Sequence, residues 1–320
     1  MYALELGGED DRFAAAEAAS AATGVEVAAP GLATATTISD RVQTLAYTHR
    51  ASELLGTTDA DVESAKVLLE ASDLSREGTV AVRARDVRET ADIDTQRAER
   101  ELGQVLVDAG FTVDLDDPDH ELRALFSKET CLLGWLETVS IRDYGTRKPT
   151  DRPFFQPGGM DPLLARALVN LAGACPGAKI LDPMCGTGGV LIEGGLVGAT
   201  VYGTDAQRKM ARGAATNLDH YLDSGWATMQ GDATHLPFPD GSLDGVVFDA
   251  PYGRQSKIAN LGLDDLVEGA LEEAKRVAER AVVVGDRSWA DAAREAGWEV
   301  ESEFERRVHR SLDRFIIVLD

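Results

Sequence analysis

Apolar and polar positions change their rhythm near the middle of this 320-residue chain. In the second half, short apolar runs at Lys179–Asp182, Val201–Asp205, Thr228–Asp232, Leu243–Asp249 and Ala281–Asp286 read as buried strands. Between them, Pro162–Ala172, Gly189–Gly198, Gln207–Tyr221, Leu263–Ala278 and Trp289–Ala296 carry helical spacing. Strands and helices in alternation predict an α/β fold, a doubly wound sheet with helices on both faces. The last two strands, Trp298–Val308 and Arg314–Leu319, are joined too tightly for a crossover helix. They are expected to pair antiparallel.

The first half is less regular. Tyr2–Leu6 reads as a strand and the alanine-rich Phe13–Ala29 as a helix, which makes residues 1–45 a small α+β lobe. Leu45–Leu55 is amphipathic with helical spacing, and Asp59–Ala71 continues as a second helix after an aspartate-rich start. Thr79–Asp86 alternates, with Val80, Val82 and Ala84 on one face and Arg83 and Arg85 on the other, as a half-buried strand does. Asp94–Ala109 is helical, and Phe111–Leu115, His120–Lys128 and Cys131–Ile141 read as strands. The clearest boundary is Tyr144–Pro157, where Gly145, Pro149, Pro153 and Pro157 sit among Arg147, Lys148 and Arg152 with little apolar pattern. The expected division is a lobe at 1–45, a domain at 46–145, a linker at 146–157 and the α/β domain at 158–320.

Charge then narrows the setting. The net charge is −23, and only seven of the 32 basic residues are lysine. Such a surface suits molar salt, where the Debye length is about 3 Å and self-repulsion is screened. It equally suits a protein that binds no nucleic acid, and charge alone leaves both open. No apolar run approaches the roughly 18 residues of a membrane span. Met1-Tyr2-Ala3-Leu4-Glu5 lacks the basic-then-apolar order of a secretory signal. The three cysteines, Cys131, Cys175 and Cys185, have no CxxC spacing. That argues against a disulfide framework or a zinc site and fits a reducing cytoplasm.

Two motifs carry chemistry. The first is Ile180-Leu181-Asp182-Pro183-Met184-Cys185-Gly186-Thr187-Gly188-Gly189, a strand, a glycine turn and a helix start. Glycines there allow close backbone approach to a ligand. No Lys-Ser/Thr follows, so the loop is not a phosphate cradle. Four expected strands end in an acid: Asp182, Asp205, Asp232 and Asp249. Carboxylates at the strand ends disfavour a phosphate and suit S-adenosylmethionine, which carries a sulfonium and an ammonium group. Asp205 ends the second strand, where an acid can hold two ribose hydroxyls. Asp232 with Ala233 would meet the adenine.

The second motif is Asp249-Ala250-Pro251-Tyr252, at the tip of Gly245-Val246-Val247-Phe248. An exocyclic base amine is a poor nucleophile because its lone pair is delocalised into the ring. Two acceptors, the Asp249 carboxylate and the Ala250 carbonyl, would pull its hydrogens and localise that pair. Pro251 has a fixed φ and biases Ala250 to an extended conformation, which aims its carbonyl outward. Tyr252 offers a stacking face worth about 1–3 kcal/mol per base. Asp249 can also accept the released proton. The pattern points to methyl transfer onto a nucleobase nitrogen.

These motifs resemble those of the THUMP-containing tRNA guanine-N2 methyltransferases, the archaeal type that modifies guanosine 10. Arg152-Pro153-Phe154-Phe155-Gln156-Pro157-Gly158-Gly159-Met160 is similar to the family's motif ahead of the cofactor loop. Asp182–Gly189, Gly203-Thr204-Asp205 and Gly231-Asp232-Ala233 are similar to its cofactor motifs. Asp249–Gly253 resembles its Asp-Pro-Pro-Tyr-Gly motif, with Ala250 in place of the first proline, and the closing Val308–Leu312 also resembles this family's sequences. Residues 46–145 resemble a THUMP domain, Val113–Pro118 included.

The resemblance implies a Rossmann-like methyltransferase domain, seven-stranded with an antiparallel final hairpin, after an α+β THUMP-containing region. It implies that Phe155, Pro157, Asp182, Met184, Cys185, Gly186, Thr187, Gly188, Asp205, Asp232, Ala233 and Asp249 bind the cofactor. It implies tRNA as substrate, gripped at its 3′ end by the THUMP domain. Arg83, Arg85, Arg142, Arg147, Lys148 and Arg152 are then candidate RNA contacts, and Arg254, Gln255 and Lys257 are placed to line the base pocket. Relatives can also work with a small zinc-binding activator protein. The same chemistry serves rRNA guanine-N2 and DNA adenine-N6 methyltransferases. A non-catalytic RNA-binding scaffold would keep the fold without turnover.

Overall fold

The computed structural model describes residues 1–251, 262–309 and 312–320, and these divide into two compact units, Met1–Ile141 and Arg142–Asp320. Tyr252, Gly253, Arg254, Gln255 and Lys257 lie outside the described residues.

In the first unit, β1 (Tyr2–Leu6), α1 (Asp11–Ala19), β2 (Ala22–Thr23), β3 (Glu26–Ala29), β4 (Leu32–Ala35) and β5 (Thr37–Ile38) come first. Then follow β6 (Thr48–Asp59), α2 (Val62–Ala71), β7 (Thr79–Asp86), α3 (Thr95–Asp108), β8 (Thr112–Val113), β9 (His120–Ser127) and β10 (Thr130–Val139). One sheet runs β3-β4-β1-β6-β10-β9-β7-β8. Asp61 and Asp94 start the two longer helices by accepting from the amides of Ser64 at 2.8 Å and Arg97 at 2.9 Å. The apolar sides of α2 and α3, Ala65, Leu69, Leu102 and Leu106 among them, join the core formed by Val80, Leu122, Phe126 and Trp135.

Three expectations are corrected here. Leu45–Leu55 does not form a helix, because Thr48–Asp59 is a strand paired on both sides, Leu4 with Ala51 and Gly134 with Leu54. Leu54 packs on the cluster holding Ala3 and Leu32, while Leu55 packs on the α2/α3 core. Adjacent leucines serving opposite faces of a covered strand imitate a helical pair. Residues 1–45 are not a separate lobe, since β1, β3 and β4 share the sheet with the strands that follow. Phe13–Ala29 is helical only to Ala19; short strands follow at Ala22–Thr23 and Glu26–Ala29, joined through Gly24 at φ +60°.

The second unit opens with turns at Tyr144–Thr146 and Pro149–Asp151, then α4 (Pro162–Leu171), β11 (Lys179–Asp182), α5 (Gly189–Leu196), β12 (Thr200–Asp205) and α6 (Arg208–Tyr221). There follow β13 (Trp226–Gln230), β14 (Gly245–Asp249), α7 (Leu263–Val277), β15 (Ala281–Gly285), α8 (Ala290–Glu295), β16 (Val300–His309) and β17 (Leu312–Leu319). The sheet order is β13-β12-β11-β14-β15-β17-β16. Its first five strands are parallel, and β17 pairs antiparallel with both β15 and β16, as the tight final connection requires. From β11 the chain winds outward through β12 and β13, then returns to β11's other side as β14. That reversal opens a crevice at the carboxyl ends of β11 and β14, the switch point where such sheets bind ligands. Asp182 and Asp249 end those two strands. Among the described residues, no helix is long and apolar enough to cross a membrane.

Candidate active site

The glycine turn after β11 is built from left-handed backbone. Gly186 has φ +51° and Gly188 φ +77°, conformations that favour glycine. Gly188 then caps α5. The loop is braced by the neighbouring strand: Cys185 N–H donates to the Thr204 carbonyl at 2.9 Å, and Gly186 N–H donates to Asp205 at 3.1 Å. Asp205 also accepts from Gln207 N–H at 2.8 Å. Asp182 is buried and accepts from Met184 N–H at 3.0 Å. Asp232 lies in the turn after β13, exposed, accepting from Thr234 N–H at 2.9 Å and its hydroxyl at 2.8 Å. Ala233 beside it is buried.

The electrostatics of this crevice select the ligand. Burial holds Asp182 well above the usual carboxylate range, and the nearby charges of Asp205 and Asp249 push it further. Burial also raises Asp205. Cys185 is pushed up by burial and by Asp182 and Asp205, so it stays a thiol. Acids converging on a buried crevice, their pKa values raised by burial and by one another, are stabilised by a cationic ligand and disfavour a phosphate. S-adenosylmethionine fits these residues. Asp182, Met184, Cys185, Gly186, Thr187, Gly188 and Asp205 stand together at the loop and the neighbouring strand end.

Asp249 ends β14 on the other side of the crevice. Burial, opposed by Arg314 and aided by Asp286, raises its carboxyl to about 6. Arg314 stands on β17, and its Nη2 reaches across the end of β15 to within 3.5 Å of Asp249 Oδ2. The other oxygen, Oδ1, is buried and makes no hydrogen bond with a described residue. Ala250 is buried, and its N–H donates to the Val284 carbonyl at 2.8 Å. The ladder therefore runs to the last residue before Pro251.

The expected linker packs within the second unit. Arg147 is buried in an ion pair with Glu193 at 2.8 Å, and Arg166 meets the same carboxylate at 2.8 Å. Arg152 is buried too; its guanidinium lies 3.3 Å from the Arg147 carbonyl and 3.4 Å from the Thr187 hydroxyl. Burial lowers its pKa. Arg147 and Arg152 thus face the protein: the buried Glu193 demands compensation and draws Arg147 inward, and Arg152 closes over the glycine loop. Asn217 on α6 accepts from Phe154 N–H at 2.8 Å and donates to the carbonyls of Phe154 and Thr187, both at 2.9 Å. It ties the segment to the glycine loop. Phe155 and Pro157 are exposed.

The remaining RNA candidates differ. Lys148 is exposed, and Arg142 lies over the Tyr144 ring at 5.5 Å. Arg83 donates to the Leu115 carbonyl at 2.6 Å, and Arg85 pairs with the buried Glu5 at 3.2 Å. Glu5 also holds Arg123 at 2.9 Å; Arg83 and Arg85 are both partly engaged by protein. Sequence reading missed Arg314, Asn217 and Glu193. Only Glu193 left a trace, a lone acid in an otherwise apolar helix.

Comparison with known proteins follows the same division. A model of the RMKL-like methyltransferase domain matches residues 149–316, and a THUMP domain model matches residues 61–135. The chain is 35% identical over 283 residues to a tRNA (guanine(10)-N2)-dimethyltransferase of Methanothermobacter thermautotrophicus, covering 86% of this chain and 83% of that one. It is 32% identical over 248 residues to the enzyme of the same name from Pyrococcus abyssi, covering 76% and 74%. In fold it is similar to TrmN from Thermus thermophilus, with a TM-score of 0.51 at 24% identity over 100% of this chain and 99% of that one.

Proposed function

The chain belongs to the THUMP-domain tRNA guanine-N2 methyltransferases, and on that premise we propose that it methylates N2 of guanosine 10 in tRNA, once and then a second time. The observation that carries this reading is the unsatisfied Oδ1 of Asp249, a buried acceptor at the crevice with no hydrogen bond to a described residue. A buried acceptor without a donor is costly, and a base amine supplies the donor.

S-adenosylmethionine brings an electrophilic methyl group when bound. The protein's part is positioning and proton handling. Asp249 Oδ1 accepts one N2 hydrogen and the Ala250 carbonyl the other, which localises the nitrogen lone pair. Near neutral pH Asp249 is largely ionised, so it can take the proton lost from nitrogen after transfer. Arg314 keeps that carboxylate ionised despite its burial. Asp205 is placed to meet the ribose hydroxyls and Ala233 the adenine, while Arg152 and Asn217 hold the loop beneath them. Tyr252, Arg254 and Lys257 are assigned to the base pocket from the sequence motif. The THUMP match supports RNA over DNA. The reading implies a cytoplasmic enzyme.

The test is transfer of labelled methyl to an unmodified tRNA transcript at high potassium chloride, with nucleoside analysis. N2-methylguanosine and N2,N2-dimethylguanosine, both lost when guanosine 10 is replaced, are expected. Label that survives the replacement would overturn the position. Transfer that appears only with an added small zinc-binding activator would assign that partner.

A further inference from the structure

Many described arginines of the second unit have an acidic partner. Arg147 and Arg166 share Glu193, Arg276 pairs with Glu273 and Asp240, Arg280 with Glu301, and Arg294 with Asp291. That is the expected state of cations in a chain of net charge −23. The first turns of α6 break the pattern. Arg208, Lys209 and Arg212 are all exposed, and none makes an ion pair with a described residue. Clustering three cations without a carboxylate is unfavourable by itself.

These side chains frame two open depressions. One, of about 410 Å³, is lined by Phe154, Arg208, Lys209, Arg212, Gly213 and Thr216. The other, of about 240 Å³, shares Arg208 and Arg212 and continues along the edge strand past Thr228 and Gln230. Gly213 is the reason the first is shaped as it is: the Phe154 ring lies where a Cβ on residue 213 would stand. Lys209 Nζ lies 5.7 Å from that ring. Arg208 follows Asp205 by three residues, so the groove starts within about 11 Å of chain from the cofactor crevice.

We propose that this face of α6 binds the phosphodiester backbone of the RNA substrate, a contact on the methyltransferase unit itself. The inference rests on the tRNA reading above. Phosphates supply the anions the three cations lack, and a shallow groove admits a strand that an enclosed pocket would not. Two arginines can fork onto phosphate oxygens while the lysine acts as a point charge.

The test is tRNA binding by fluorescence anisotropy across a potassium chloride series, using the full chain and the variant Arg208→Gln/Lys209→Gln/Arg212→Gln. The same neutralisation at the paired Arg294 serves as control, and thermal melting checks folding. The triple variant is expected to bind about 10- to 100-fold more weakly, and the slope of log affinity against log salt to fall by about 2–3. The Arg294→Gln slope should stay at the wild-type value. A triple variant that binds with wild-type affinity and slope, while the wild type binds and methylates tRNA, overturns the proposal alone. A wild-type chain that neither binds nor methylates tRNA overturns the functional reading, and this inference with it.

Discussion

Arg314→Met should shift the pH dependence of methyl transfer to higher pH rather than lower the rate evenly. Arg314 Nη2 lies 3.5 Å from Asp249 Oδ2. At an effective dielectric of about 20, that separation is worth about 5 kcal/mol of Coulomb attraction. At about 1.4 kcal/mol per pH unit, the effect is capped at about 3.5 units, and comparable pairs move a carboxyl by about 1–3. With the arginine present Asp249 titrates at about 6. Without it the midpoint should fall between about 7 and 9. The ionised fraction at pH 7 then drops from about nine-tenths to between about one-half and one-hundredth. Single-turnover transfer at saturating tRNA and S-adenosylmethionine should therefore slow about 2- to 100-fold at pH 7 and recover toward pH 9–10. The assay is the single-turnover rate across pH 5–10 for wild type and variant. A variant whose rate falls by the same factor at every pH, with its midpoint unmoved, would refute the role given to Arg314 and to Asp249 ionisation.

Asp249→Ala should abolish transfer while S-adenosylmethionine still binds, as titration calorimetry can show; retained turnover would remove Asp249 from the chemistry. Asp249→Asn should stabilise the fold. The native carboxyl titrates at about 6 against an ordinary value of 3.8, so the folded state binds the extra proton and stability falls as pH rises between the two. The gain should reach roughly 3 kcal/mol at most above pH 7 and vanish near pH 4, as denaturant melts at both pH values will reveal. Asn217→Ala removes three hydrogen bonds that tie Phe154 to the Thr187 loop. It should cost about 2–3 kcal/mol and weaken S-adenosylmethionine binding, and an unchanged cofactor affinity would sever that link. Gly213→Ala should displace Phe154 and lower the melting temperature, by several degrees for about 1–2 kcal/mol.

Much of the second unit was legible in the chain. Five buried runs, four of them followed by a helical pattern, allow little besides a parallel sheet wound both ways, because a parallel pair needs a crossover and most crossovers here are helices. Asp182 and Asp249 could be placed at strand ends because the apolar run before each is long enough to be a strand and stops there. The glycine loop was legible because Gly186 and Gly188 adopt left-handed backbone, which favours glycine. The first unit was harder. Leu54 and Leu55 lie next to each other, and only the sheet order, with β1 on one side and β10 on the other, sends them to opposite cores.

Local pattern by itself determined the alternation of elements, the turn after β11 and the acid, carbonyl and proline at the tip of β14, since each depends on neighbours in sequence. The tertiary structure decided which charges meet. Arg147 and Arg152 read as a basic linker, yet the buried Glu193 draws the first inward and the second closes over the loop. Arg314 reads as one more strand residue until the antiparallel return of β17 brings it to Asp249. The exposed cations of α6 look in sequence like the arginines elsewhere that pair with acids, yet none of the three makes an ion pair with a described residue. Pairing of charge is long-range in the chain and short-range in space, so it becomes readable only when the fold sets the distances.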